Sequence, residues 1–231
     1  MPDPVSWSFA WPYLAGALLL AYLLGSLPFG LLLTRAAGLG DIRRQGSGNI
    51  GATNVLRTGR KDLALLTLVL DGGKGAFAVL LAFWIAGSES ALVAGFGAVL
   101  GHCFSVFLGF RGGKGMATAL GTLLALMPWV GMLCCLTWLL VALAFRYSSL
   151  AALVSVAAAP FYAWLLPWGF RLEEAFAPGF GELLFRGERQ FIEVSAAIAV
   201  IVWLRHHQNI RRLLSGQESK IGQKKKEAGA A

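Results

Sequence analysis

The chain has 231 residues, of which 57% are hydrophobic and only 14% charged, with a formal net charge of +8. A soluble domain carries about a quarter charged residues, so a water-soluble globular fold is excluded. The basic balance invites nucleic acid as a partner, but its distribution follows membrane orientation instead, and no nucleic-acid partner is expected.

The N-terminus, Met1-Pro2-Asp3-Pro4, has no positive residue before the first apolar block, which predicts a retained first span rather than a cleaved signal peptide. A bilayer takes about 20 residues as helix. Long apolar runs predict seven helices, at about 9–33, 63–86, 90–108, 115–127, 129–145, 150–168 and 190–205. The run from Gly115 to Phe145 is too long for one span and short for two, and Pro128 cannot donate to a helical ladder. Residues 115–127 are therefore expected as a half-helix or a strongly tilted one, with six spans as the alternative count. Residues 169–189 alternate charged and apolar side chains and read as an amphipathic stretch at the outer surface. The whole is an all-α integral membrane protein: one polytopic domain, 1–221, and a disordered basic tail, 222–231.

Charge distribution sets the orientation. With the N-terminus outside and the C-terminus in the cytoplasm, the inner segments 34–62, 109–114, 146–149 and 205–231 hold sixteen of the twenty basic residues, as the positive-inside rule requires. The outer segments hold Asp3, Glu89, Glu173, Glu174, Glu182 and Glu188 against Arg171, Arg186 and Arg189. Cys103, Cys134 and Cys135 lie in apolar segments and read as small buried hydrophobes.

Four polar clusters gather at the inner ends of the helices. In Gly46-Ser47-Gly48-Asn49-Ile50-Gly51-Ala52-Thr53-Asn54, glycines let backbone N–H groups converge on an anion. Ser47, Asn49, Thr53 and Asn54 add neutral donors, and Arg57 follows one helical turn on. Gly112-Gly113-Lys114-Gly115 opens a span, where a helix N-terminus already favours an anion. Asp71-Gly72-Gly73-Lys74-Gly75 repeats the tetrad deep in a span, where charges are costly unless paired; packing and catalytic roles stay equally open there. His206 and Asn209, three apart, would share one face of a helix. His207 points away, and His102 reads as a buried histidine. Gly216, Glu218 and Lys220 could close over the same site. No metal-ligand set and no GxSxG elbow is present. His102, His206 and His207 also lack an aspartate five residues on, so no acid–base dyad of that spacing exists.

The segments GSGNIGATN, DGGKG, GHCFSVFLGFRGGKGMAT, RYSSL and HHQNIRRLLSGQESK, in that order from Gly46 to Lys220, resemble the bacterial acyl-phosphate-dependent glycerol-3-phosphate acyltransferase family. The resemblance implies a seven-helix enzyme of the bacterial inner membrane with its site on the cytoplasmic side. It implies acyl phosphate as donor, glycerol 3-phosphate as acceptor, and lysophosphatidic acid and phosphate as products. Carried over, Ser47 and the neighbouring amides would hold the acyl phosphate. Arg57, Lys114, His206 and Asn209 would bind phosphate and glycerol oxygens of the acceptor, with Ser149 and Glu218 contributing.

An acyl phosphate is already activated, so the site needs positioning and cations for the leaving group, not a protein nucleophile. No cofactor and no obligatory protein partner is expected beyond the two substrates and membrane lipid. The proton acceptor is His206 or a substrate phosphate oxygen; with no carboxylate–histidine dyad, the substrate phosphate is favoured. A transporter or channel for organic phosphates or anions is the alternative, because half-helices around a glycine-rich site suit that architecture too.

Overall fold

The computed structural model describes residues 7–166 and 188–222. Nearly all of the predicted amphipathic stretch 169–189 and of the tail 222–231 lies outside the described residues. Among those residues every regular element is helical. We label them α1 (Trp7–Gly25), α2 (Phe29–Ala36), α3 (Ala52–Leu56), α4 (Lys61–Cys103), α5 (Met116–Leu126), α6 (Pro128–Phe145), α7 (Ser148–Leu165), α8 (Glu188–Arg205) and α9 (His207–Leu214).

Among the described residues four stretches are long and apolar enough to cross a membrane: Ala10–Ala36, Lys61–Leu108, Pro128–Phe145 and Ser148–Leu165. The second is not one rod. At 1.5 Å per residue, Asp71 and His102 would lie roughly 46 Å apart in a straight helix. Instead Asp71 Oδ1 and His102 Nδ1 are 3.6 Å apart. The chain folds back at Ala86 and Gly87, and Gly87 takes φ 80°, a left-handed conformation that a glycine adopts without strain. The two predicted helices 63–86 and 90–108 are thus the two legs of α4.

The predicted first helix, 9–33, is interrupted. Pro28 lacks the N–H that a continuous helix would need, so α1 ends at Gly25 and α2 starts at Phe29. The expected short helix after Gly115 is α5. Its 11 residues span only about 16 Å, half of the roughly 30 Å hydrocarbon core. Pro128 then occupies the first turn of α6, where its missing donor costs nothing.

Small residues hold the bundle together. α1 lies against both legs of α4, with Ala21 packed among Ala78, Ala82, Ala94 and Ala98. A Cβ on Gly25 would collide with the Ala98 backbone, and one on Gly121 in α5 with the Gly72 backbone. Such close approach is how helices associate in lipid, where apolar burial gives no driving force. Large apolar side chains point outward instead: Trp84, Ile85, Leu143 and Leu204 are all more than half exposed. α7 and α8 close the bundle around Val156, Ile198 and Val202, with Trp203 Nε1 donating to the Leu153 carbonyl at 3.1 Å.

Candidate active site

The loop between α2 and α3 is shaped by Asn54. Its amide nitrogen donates to the carbonyls of Ile42 (3.1 Å), Gln45 (3.0 Å) and Asn49 (2.8 Å), and its oxygen accepts the Ser47 N–H at 2.9 Å. Buried and fully engaged, Asn54 folds the loop rather than facing an open site. Asn49 plays a similar local part, its side-chain oxygen accepting the Gly51 N–H at 3.2 Å just before α3. A Cβ at Gly46 would press on both Asn54 and the Arg57 stem, so glycine lets the loop lie against them. Gly46, Ser47 and Gly48 are exposed at its tip. Thr53 Oγ1 lies 3.3 Å from Ser148 Oγ, joining this loop to the first turn of α7.

The second tetrad leads into α5. Gly113 N–H donates to the His102 carbonyl at 2.9 Å. A Cβ on Gly112 would collide with that carbonyl, and one on Gly113 with the His102 ring. Gly115 caps α5 at φ 82°. Between them Lys114 is left with no hydrogen bond or ion pair to its ammonium among the described residues. Burial pushes its pKa down to about 8; the Glu218 carboxylate counters this, while the Arg212, Arg57 and Arg205 guanidiniums add to it. An ammonium placed among three guanidiniums with one carboxylate is an electrostatic demand for an anion.

Glu218 ties the site together. Its Oε1 accepts from Ser149 Oγ at 2.7 Å and from Asn209 Nδ2 at 2.6 Å, and its Oε2 from Arg212 Nε at 2.6 Å. Burial works to raise its pKa, but the hydrogen bonds from Ser149, Arg212 and Asn209 outweigh that and hold it below the usual glutamate value. One residue on, Ser219 Oγ accepts from Arg57 Nη2 at 2.8 Å. Ile221 exchanges two hydrogen bonds with Arg146, backbone N–H to carbonyl at 2.7 Å and guanidinium to carbonyl at 3.0 Å. The segment after α9 therefore runs back across α3 and α7.

His206 does not continue a helix into Asn209, as the spacing predicts. It sits at the junction, φ −97° and ψ 8°, between α8 and α9. The break still leaves both residues buried beside the same segment. Nδ1 lies 2.7 Å from the Val202 carbonyl, which can only accept, so Nδ1 carries the proton and Nε2 keeps its lone pair. Burial pushes the His206 pKa down to about 4, and the Lys114 and Arg205 charges reinforce this. His207 is exposed.

The deeper tetrad is closed off. Lys74 Nζ donates to Asp71 Oδ1 at 2.8 Å and to the Leu27 carbonyl at 2.8 Å, the carbonyl released where α1 breaks. It also lies over the Phe29 ring. Both charged side chains are almost wholly buried. This pair holds α1, α2 and α4 together.

Ser149, Arg57, Lys114, His206, Asn209 and Glu218, drawn from five separate stretches of sequence, converge at one end of the bundle. The comparisons with known proteins concern the chain as a whole. The sequence profile of the glycerol-3-phosphate acyltransferase family matches residues 15–216. The chain belongs to the glycerol-3-phosphate acyltransferase family. Its relatives include glycerol-3-phosphate acyltransferases of Rhodospirillum rubrum, 57% identical over 91% of this chain and 92% of that one, and of Paramagnetospirillum magneticum, 55% identical over 92% and 96%. The fold matches the crystal structure of PlsY, an integral membrane glycerol 3-phosphate acyltransferase, in its glycerol 3-phosphate form. The TM-score is 0.77 and the identity 34%, over 90% of this chain and 96% of that one. The lysophosphatidic acid form matches with a TM-score of 0.76. The protein is accordingly an integral membrane acyltransferase of phospholipid synthesis, and the transporter reading falls away.

Two residues of the candidate site escape the sequence reading. Arg212 was visible only as a basic residue of the inner tail, and its pairing with Glu218 depends on the turn after α9. Arg205 counted only toward orientation, yet its guanidinium donates to the carbonyls of Gly112 (2.9 Å) and Gly113 (3.1 Å). A cation at the last residue of a span, next to a glycine pair in another loop, carries no mark that separates it from an orienting charge.

Proposed function

We propose that the enzyme transfers a fatty acyl group from acyl phosphate to the 1-hydroxyl of glycerol 3-phosphate, giving lysophosphatidic acid and inorganic phosphate. The observation that carries this reading is Lys114: a half-buried ammonium with no hydrogen-bond or ion-pair partner among the described residues, surrounded by Arg57, Arg205 and Arg212. Two phosphorylated substrates repel each other, and such a cluster offsets that repulsion. The hydroxyl oxygen attacks the acyl carbonyl carbon, the bond from carbon to the phosphate oxygen breaks, and phosphate leaves with the electron pair. Lys114 and Arg57 bind the phosphate of glycerol 3-phosphate and from there offset the charge that builds on the leaving group, while the Ser47 and Thr53 hydroxyls and the amides of Gly46, Gly112 and Gly115 hold phosphate oxygens; the Gly48 and Gly113 amides are taken by the Gln45 and His102 carbonyls, so these two glycines shape the loops. Asn209 and Ser149, fixed by Glu218, hold the glycerol.

The hydroxyl proton goes to a substrate phosphate oxygen. A phosphate monoester has a second pKa near 6, whereas His206 is pushed down to about 4, which makes it the weaker base by roughly two units. His206 Nε2, left unprotonated, instead accepts a hydrogen bond from the 2-hydroxyl of glycerol 3-phosphate and so orients the acceptor.

The reading includes seven spans in a bacterial inner membrane, outer N-terminus and cytoplasmic C-terminus, as the charge distribution supports. The two legs of α4 and the half-length α5 bear on that count. The site then faces the cytoplasm, within one domain 1–221 ahead of the tail 222–231, and membrane lipid is the only other partner. The test is to incubate the purified protein with palmitoyl phosphate and glycerol 3-phosphate, expecting equal amounts of lysophosphatidic acid and phosphate. Palmitoyl-CoA in place of palmitoyl phosphate should give little product. Turnover with the thioester but not with the phosphate would sink the donor assignment.

A further inference from the structure

The loop that presents Lys114 has two consecutive glycines and hence little conformational preference of its own. Something outside must fix it. On one face lies His102, whose carbonyl takes the Gly113 N–H and whose ring fills the space a side chain would need. On the other face lies Arg205. Its Nη2 donates to the Gly112 carbonyl at 2.9 Å and its Nε to the Gly113 carbonyl at 3.1 Å. The guanidinium is itself held over the Phe104 ring, 5.2 Å from the centroid.

Described peptide bonds are trans, so each carbonyl points opposite to the N–H of the next residue. Drawing the Gly112 carbonyl toward Arg205 turns the Gly113 N–H toward His102. Drawing the Gly113 carbonyl the same way turns the Lys114 N–H to the side away from Arg205, where no protein acceptor takes it among the described residues. We propose that Arg205 is a positioning residue of the acyl-transfer site: its guanidinium grips two successive glycine carbonyls and so fixes the Lys114 N–H and ammonium for the phosphate of glycerol 3-phosphate. The inference rests on the reading of the site given above. Only arginine suits this task, because its planar fork reaches two acceptors in fixed geometry, whereas lysine offers a single mobile point of charge.

The consequence is kinetic. A loop displaced by about 1 Å can cost as much as a hundredfold, and the loss should fall on the acceptor. Wild type, Arg205→Lys, Arg205→Gln and Phe104→Leu are purified as full chains and assayed with palmitoyl phosphate and glycerol 3-phosphate, following both products. Both Arg205 variants should raise the KM for glycerol 3-phosphate about tenfold while leaving the KM for palmitoyl phosphate near wild type. An Arg205→Lys enzyme that matches wild type while Arg205→Gln fails would mean that charge alone matters, and the positioning role would be overturned. Lowered kcat with both KM values unchanged, in step with the folded fraction, would overturn it in favour of a purely structural role. Should the Arg205 variants not fold, Phe104→Leu decides: it keeps the charge but frees the guanidinium, and an unchanged acceptor KM refutes the proposal. A wild type that turns over neither product overturns the functional reading itself, and this inference with it.

Discussion

Gly-Gly-Lys-Gly occurs twice, at 72–75 and at 112–115, and the two copies do opposite things. Lys74 lies inside a helix with two of its three protons directed at Asp71 and at the Leu27 carbonyl, and its almost wholly buried ammonium is out of a substrate's reach. Lys114 stands at the mouth of α5, next to a left-handed glycine, with its donors uncommitted. What separates them is backbone context. Regular helix around Lys74 places a carboxylate one turn earlier, on the same face. The break in helix around Lys114 supplies free N–H groups and no acceptor. A motif is therefore a role only together with what the protein leaves unsatisfied around it.

The contrast can be broken most directly at Lys74. Lys74→Met leaves the Asp71 carboxylate buried without its ammonium and should lower stability by about 3–5 kcal/mol, read from unfolding in mixed denaturing detergent. Turnover per folded molecule should stay close to wild type. A catalytic collapse in well-folded Lys74→Met protein would erase the distinction. Lys114→Ala is the mirror case, with a fall in kcat of about 10²–10³ and an almost unmoved thermal midpoint. A strongly destabilised Lys114→Ala would show that its charge serves packing.

The pH profile sharpens the same comparison more gently. Lys114 acts as an ammonium and has a pKa near 8 in the free enzyme, so kcat/KM should fall about tenfold per pH unit above that value. A bound phosphate favours the charged form, so the limb in kcat should lie higher. Stability responds with the opposite sign. The unfolded lysine, at its ordinary 10.5, binds its proton more tightly than the folded one. The burial cost of the charge is therefore present below about 8 and relieved as pH rises toward 10.5. His206, pushed down to about 4, should add no limb between pH 5 and 8. A kcat/KM that stays flat through pH 9 would remove Lys114 from the chemistry.

Much of this was legible in the residues. Apolar run lengths located most helices, because lipid forces every spanning segment to satisfy its own backbone. The short α5 followed from arithmetic on the 115–145 run. The break before Pro28 was masked, since apolar side chains continue unchanged across it and only the single missing N–H interrupts the ladder. At the site, glycine density and lone cations marked Lys114, Arg57 and the 46–54 loop. The junction at His206 was hidden because HHQNIRR has helical spacing on both sides. Glu218 could be named as a site neighbour but not as the shared partner of Ser149, Asn209 and Arg212. Such a pairing spans 69 residues in the case of Ser149, and no local pattern encodes it.

The segment that carries Glu218, Ser219 and Ile221 also sets an order of events in biosynthesis. Chains emerge and fold from the N-terminus, so the bundle can insert and pack while the carboxylate that organises Ser149, Asn209 and Arg212 has yet to be made. Until it arrives, Arg57 lacks Ser219 and Arg146 lacks Ile221. A growing chain is thus a helical bundle with loose cations until this segment is made, and catalytic competence waits on it.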